Sequence, residues 1–255
     1  MKEKWSLNSY EHKRLNHPLY VPWIMKQTWL DTLFIHYPVK KEKLSKLVPP
    51  VLPIDTYDNY GWVSIVPYLT TSVRVRGMPP IPGMNQFAGF NVRTYVNLNG
   101  KPGIYFFRLA ASNWLNVKMA KVFFKLPYIC LDMNFNRRGN EIYFESESIT
   151  KNDEEIKWIY RPKTEKRLAV KGSLEEWLVE RYCLYTVNKN GEPFRSDIIH
   201  RSWLLQDVDV EFQHNSIFNA LNIVPDSKEA IFQYAKKVKV KIWPIMPCEN
   251  NDFFS

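Results

Sequence analysis

The sequence predicts a mainly β protein of the α+β type, an antiparallel sheet carrying a few packed helices. Three observations carry this. Apolar runs of strand length recur at short spacing, bounded by Pro, Gly and Asn. Only two segments show a convincing helical period, around 112–126 and 173–182. And Asn99-Gly100 stands between two apolar runs, which is the strongest short-range hairpin signal.

Composition sets the outer limits. At 255 residues, 45% hydrophobic and 15% aromatic, the chain can fill a sizeable core. Nine glycines against 17 prolines suit many strands with rigid ends. The three cysteines, Cys130, Cys183 and Cys248, are scattered and odd in number, which fits a reducing cytoplasm better than a disulfide framework. No window approaches the ~20 apolar residues of a spanning helix, so no membrane is expected. The net charge of +9 is dispersed over the chain, and no nucleic-acid-binding motif accompanies it. Nucleic acid is therefore not expected as a partner.

Taken in order, residues 1–20 are polar and predict an extended arm, followed by a single domain over 21–255. Gln27 to Tyr37 is a strand dense in Trp, Leu, Phe and Ile, and Lys40 to Lys46 one or two helical turns. His36, near the end of that strand, is taken as a satisfied core or rim histidine. Strands follow near 51–57, 61–69 and 71–76. Met78 to Met84 carries three prolines and makes a stiff loop, because missing amide donors bar it from a sheet interior.

The stretch from Asn91 to Tyr128 organises the rest. Along its first strand Asn91, Arg93, Tyr95 and Asn97 share one face, and Val92, Thr94, Val96 and Leu98 the other. A polar and aromatic row of this kind fits either a solvated face or a pocket wall. After Ser112 the period becomes helical, with Leu115, Met119, Val122, Phe123 and Leu126 on one face and Lys118, Lys121 and Lys125 on the other.

Beyond it, a hairpin spans 128–136 and 141–150, and 154–161 adds a strand. Ser173 and Glu176 have the capping-box spacing of a helix start. Arg181 falls on that helix's apolar face, where a guanidinium must find a partner or a wet cavity. Phe194 to His200 is a strand whose last residue, His200, has Trp203 as an aromatic wall beside it. A strand at 207–212, a short helix at 215–222 and a strand at 230–243 complete the order.

Asn91-Val92-Arg93-Thr94-Tyr95-Val96, then Gly100-Lys101-Pro102-Gly103, then a helix closing with Leu126-Pro127-Tyr128 resembles the YqjF-like family of uncharacterised bacterial proteins. Pro22-Trp23, Trp29 through Val39, Arg74 to Gly77, Glu180-Arg181-Tyr182 and His200 through Trp203 extend the likeness along most of the chain. That family looks like a branch of the acetoacetate-decarboxylase-like superfamily. The resemblance implies a large bent antiparallel sheet closing as a cone or clam around one cavity. In the superfamily a Schiff-base lysine follows an apolar-Pro step at a helix end, and a neighbouring lysine lowers its pKa. The matching place here holds Tyr128 and Ile129, and where the superfamily has a glutamate before the Asn-x-Arg strand this chain has Gly89 and Phe90. Both departures argue against imine chemistry.

There is no P-loop, GxGxxG, HExxH or GxSxG, and no paired metal-ligand spacing among the five histidines, so no metal or cofactor is expected. Three functions remain open. One is an enzyme without a Schiff base: Arg93 or Arg181 would hold a carboxylate or enolate, Tyr128 or His200 would act as acid or base, and Asn91, Tyr95 and Trp203 would complete the wall. Another is a protein that binds a small acidic or keto metabolite without catalysis. The third is a structural or interaction protein, and a homo-oligomer is left open.

Overall fold

Sixteen residues, Met25–Lys40, form β1, the strand on which the large sheet is built. The computed structural model describes residues 21–79, 83, 85–115, 117–118, 126–147 and 155–248. β1 pairs antiparallel with β2 (Tyr60–Val75), which pairs with β3 (Gln86–Leu98), which pairs with β4 (Lys101–Ala111). The chain then adds β5 (Tyr128–Cys130), β6 (Asp132–Arg138), β7 (Glu141–Glu147) and β8 (Ile156–Pro162). Next come β9 (Cys183–Val187), β10 (Pro193–His200), β11 (Leu205–Gln206) and β12 (Val208–Asn215), and last β13 (Ile231–Ile242) and β14 (Met246–Pro247). Three short helices accompany them among the described residues: α1 (Lys41–Leu44), α2 (Leu174–Val179) and α3 (Ile217–Leu221).

The large sheet runs β11-β13-β1-β2-β3-β4-β9-β10-β14, with β5 attached to β4. An additional pairing of β13 with β10, Ile198 opposite Ile242, closes it on itself. The closed sheet has an inner face and an outer face. A separate four-stranded sheet, β12-β8-β7-β6, covers part of the outer face.

The apolar residues accordingly form two layers. One, between the sheets, joins Phe90, Val92 and Val96 of β3 to Phe144 and Trp158 of the small sheet. The other fills the inside of the closed sheet with Phe34, Val66, Tyr95, Leu109, Leu184 and Ile242. Asp31 ties the two sheets together from a left-handed backbone position in β1 (φ 47°). Its carboxylate accepts from Arg137 of β6 at 2.5 Å and from the Tyr234 hydroxyl, and its carbonyl accepts from the Tyr160 hydroxyl at 2.7 Å.

Several local expectations are corrected. Residues 51–57 do not form a strand; they make two isolated bridges, Ile54 to Val96 and Tyr57 to Tyr60. The strands expected at 61–69 and 71–76 are one strand, β2. The large sheet is not wholly antiparallel, because β4 pairs in parallel with both β5 and β9. The expected hairpin at Asn99-Gly100 forms: Leu98 pairs directly with Lys101, and both central residues have positive φ (55° and 78°), as a type I′ turn requires. The predicted arm over 1–20 and most of the 112–126 helix, with Lys121 and Lys125, lie outside the described residues. The first turn of that helix is seen at Trp114–Leu115 and Val117–Lys118, with Lys118 exposed. No helix among the described residues is long and apolar enough to cross a membrane.

Candidate functional site

Inside the closed sheet lies a partly enclosed cavity of about 100 Å³. Most of its wall is apolar, contributed by β1, β2, β4, β9, β10 and β13 through Phe34, Val66, Leu109, Leu184, Ile198 and Ile242. Polar groups enter mainly from one side. β3 supplies Asn91 and Arg93 because alternation turns them inward while Phe90, Val92 and Val96 pack into the layer below.

Arg93 is the charge of this cavity. It is 8% exposed, its guanidinium lies 5.7 Å from the Phe34 ring, and its Nε has no hydrogen-bond partner. No carboxylate among the described residues forms an ion pair with it. Burial pulls its pKa down, the Tyr95 hydroxyl partly offsets this, and the nearby positive charge of Arg181 adds to the lowering. A guanidinium nevertheless keeps its proton, so an unpaired cation stands in the wall. Asn91 Oδ1 and Thr32 Oγ1, on the same cavity, also lack partners.

Two phenols face the same space. Tyr128 arrives through the parallel pairing of β5 with β4, which sets it opposite Leu109. Tyr68 comes from β2 opposite Gly89. Burial pushes Tyr68 up to about 12, although Asn91, Arg93 and Tyr128 all favour its ionised form. Tyr128 is raised well above its usual value, first by burial and then by Tyr68. Both are neutral hydrogen-bond donors at ordinary pH, so Tyr128 can serve as a donor or acid but not as a base.

Gly89, on the same face of β3 as Asn91 and Arg93, is closely packed. A Cβ there would lie 3.0 Å from the Ala110 carbonyl oxygen and 3.3 Å from the Tyr68 ring. A side chain at 89 would need the Tyr68 ring and the β4 backbone to give by a few tenths of an ångström. The lining holds no lysine, histidine or carboxylate among the described residues.

The other sequence candidates fall elsewhere. Trp203 lines the cavity, its indole N–H donating to the Val179 carbonyl at 3.1 Å. Tyr95 is fully buried within the inner apolar layer and is not part of the lining. His200 stands behind Trp203 (5.0 Å between rings), stacked on Tyr182, with its Nδ1 2.7 Å from the Arg201 carbonyl. Burial lowers its pKa, so it is a neutral ring away from the cavity. Arg181 pairs with Asp55 at 2.6 Å and donates from Nε to the Trp177 carbonyl at 2.8 Å, which places it in a separate depression. The structure thus gathers Asn91, Arg93, Tyr128 and Trp203 in one cavity, and sets Tyr95, Arg181 and His200 outside it.

Two features were not singled out in the sequence. Tyr68 looks there like any strand aromatic. The second is a polar chain in which His36 Nδ1 lies 2.6 Å from Ser64 Oγ and His36 Nε2 lies 3.1 Å from Gln233 Oε1. Ser-His-Gln order suggests a nucleophile and its base, but Ser64 and His36 are both 0% exposed and neither lines the cavity. Burial, helped by Arg93, lowers His36 to about 3. The chain is a buried piece of core, paired throughout except at Gln233 Nε2.

Comparison with known proteins follows this geometry. Residues 26–239 match the family DUF2071, described as an uncharacterized conserved protein. The uncharacterized protein YqjF of Bacillus subtilis (strain 168) is 44% identical over 225 residues, 88% of this chain and 92% of that protein. Among solved structures, the enduracididine biosynthesis enzyme MppR complexed with pyruvate superposes with a TM-score of 0.61 at 10% identity, over 91% of this chain and 93% of that one. An acetoacetate decarboxylase superposes with a TM-score of 0.59 at 12% identity, over 96% and 100%. The acetoacetate decarboxylase of Legionella pneumophila gives 0.55 at 11% identity, over 95% and 98%. These likenesses extend to the fold and no further. The chain belongs to the DUF2071 family, close to Bacillus YqjF, and has the acetoacetate-decarboxylase-like fold.

Proposed function

We propose that this protein binds a small acidic or keto metabolite in the inner cavity, with Arg93 as the anchor. The observation that carries the reading is the buried Arg93 guanidinium, set in the cavity wall with no carboxylate partner among the described residues. A ligand carboxylate or enolate would supply the missing charge, and charge-assisted bonds of this kind are the strong ones. Asn91, Tyr68 and Tyr128 would donate to a second oxygen, while Phe34, Trp203 and the aliphatic wall would shed water. At ~10–15 Å³ per water, about 100 Å³ suits a compact molecule rather than a nucleotide. MppR, solved with pyruvate, is a protein of similar fold that holds a compound of this class. Three cysteines without a disulfide support a cytoplasmic setting.

A catalytic version of this reading draws on one further observation, the two neutral phenols beside a fixed cation. Arg93 with Tyr68 or Tyr128 would polarise a carbonyl and stabilise an enolate without an imine. Calorimetric titration with pyruvate, acetoacetate and the uncharged acetone tests the binding reading. The two acids should bind and acetone should not. Arg93→Met should weaken the acids at least tenfold. Equal affinity for acetone, or unchanged affinity in the variant, would contradict the assignment.

A further inference from the structure

β6 is an edge of the small sheet: it pairs with β7 and with no other strand among the described residues. Asp132, Asn134, Asn136 and Arg138 form its exposed row, while Met133 is buried and Phe135 half-buried against the layer between the sheets. An open edge of seven residues without a proline is a template for another strand.

The turn fixes which amides this edge offers. Gly139-Asn140 is a two-residue loop, Gly139 has φ 60°, and Arg138 pairs directly with Glu141 across it. That pair is hydrogen-bonded through the turn, and bonded pairs then alternate along the ladder. Asp132, Asn134, Asn136 and Arg138 therefore direct their amides to β7, and those of Met133, Phe135 and Arg137 point to the open side. These three make no backbone hydrogen bond to a loop or turn among the described residues. β12 rests on β13 and β6 on β3, so the open side looks over β4. There Tyr105 and Phe107 of β4 and Ile129 of β5 are only half-buried at the border of the apolar layer.

We propose that β6 is the surface through which two copies of this chain join their small sheets into one. Antiparallel pairing about Phe135 uses all seven residues and sets Met133 opposite the partner's Arg137, with the open amides in phase. On the exposed face Asp132 then comes opposite the partner's Arg138, at both ends of the pairing. Any shifted register that keeps the amides in phase loses this match. Within its own sheet Asp132 stands opposite Glu147, a like charge that the partner's Arg138 offsets. Arg138 lies over the Tyr143 ring at 5.2 Å and forms no ion pair among the described residues. Arg137 is already held by Asp31, so it brings no unpaired charge to the joint. The joined strands roof over Tyr105 and Phe107.

The test is sedimentation velocity of the full chain, with hydrogen exchange read at the Met133 and Phe135 amides. The wild type should be a dimer, and protection of both amides should rise with protein concentration. Asp132→Lys and Arg138→Glu, each made alone, set like charges opposite at both ends and should weaken association at least tenfold. Both side chains are exposed, so each variant should fold. An equimolar mixture of the two variants restores both opposite-charge pairs and should dimerise as the wild type does. The inference fails if the wild type is monomeric throughout, if both variants remain dimers, or if the mixture gains nothing over either variant. It fails equally if the two amides are protected independently of concentration, which would put a segment of the same chain on the edge.

Discussion

The Tyr95 hydroxyl stands 2.5 Å from Ser64 Oγ and donates to the Leu178 carbonyl at 2.9 Å, which joins β3 to β2 and to the end of α2. Behind Ser64 the contact continues to His36 and Gln233. Tyr95 is thus the keystone between the cavity wall and the outer depression, its ring 5.1 Å from the Arg181 guanidinium. Tyr95→Phe would keep the ring and remove the hydroxyl, stranding buried polar partners. A loss of about 1–3 kcal/mol is expected by urea unfolding. A variant as stable as the wild type would mean that the network repairs itself.

Arg93 should behave in the opposite way. An unpaired buried guanidinium costs solvation free energy that no carboxylate among the described residues returns. Arg93→Met, of similar length and apolar, is expected to leave the thermal midpoint unchanged or a few degrees higher while ligand binding falls. A drop of ten degrees would identify a structural role for the guanidinium instead.

Acidification should destabilise the fold through its buried histidines. His36 is lowered to about 3, first by burial and then by Arg93, against the Gln233 hydrogen bond. The unfolded chain titrates this group near ~6.5, so between these values the unfolded state binds the extra proton. Stability is then lost as pH falls below about 6.5, with a slope approaching ~1.4 kcal/mol per pH unit for one group. Burial moves His200 in the same direction. Urea midpoints at pH 7 and pH 5 should therefore differ more in the wild type than in His36→Gln. Equal differences would show that His36 contributes nothing to the slope.

Local chemistry was readable in the sequence, and long-range partnership was not. The Asn99-Gly100 turn and the Ser173 cap announce themselves within four residues, and both form, Ser173 Oγ accepting from the Glu176 N–H at 3.3 Å. The alternation of β3 put Asn91 and Arg93 on one face, and burial made that face the inner one. Tyr95 has the same phase, yet nothing nearby foretells that Ser64 and Leu178 would take its hydroxyl. Arg181 was legible as a guanidinium needing a partner, but Asp55 lies 126 positions away. β9 was missed because Cys183–Val187 is too short to show a period, and its parallel partner β4 is fixed only by the closed sheet. The small sheet that covers β3 and the Asp31 tie are likewise properties of the assembled fold.

The absence of a lysine from the described lining leads to a chemical prediction. By the sequence resemblance, Tyr128 would stand after Pro127 at the place of the superfamily's amine, and Lys118 is exposed and not part of the cavity lining. Borohydride reduction in the presence of acetoacetate is expected to leave the protein mass unchanged. Rapid labelling of a single lysine would restore the imine reading and place that residue in the cavity.

The central claim, that Arg93 holds a small acid inside the closed sheet, is tested most directly by a crystal structure of the full chain grown with acetoacetate. The account predicts one molecule in the inner cavity, its carboxylate within hydrogen-bond distance of Arg93 and its second oxygen near Asn91, Tyr68 or Tyr128. A cavity that stays closed to the ligand, or a ligand whose carboxylate points away from Arg93, would contradict it.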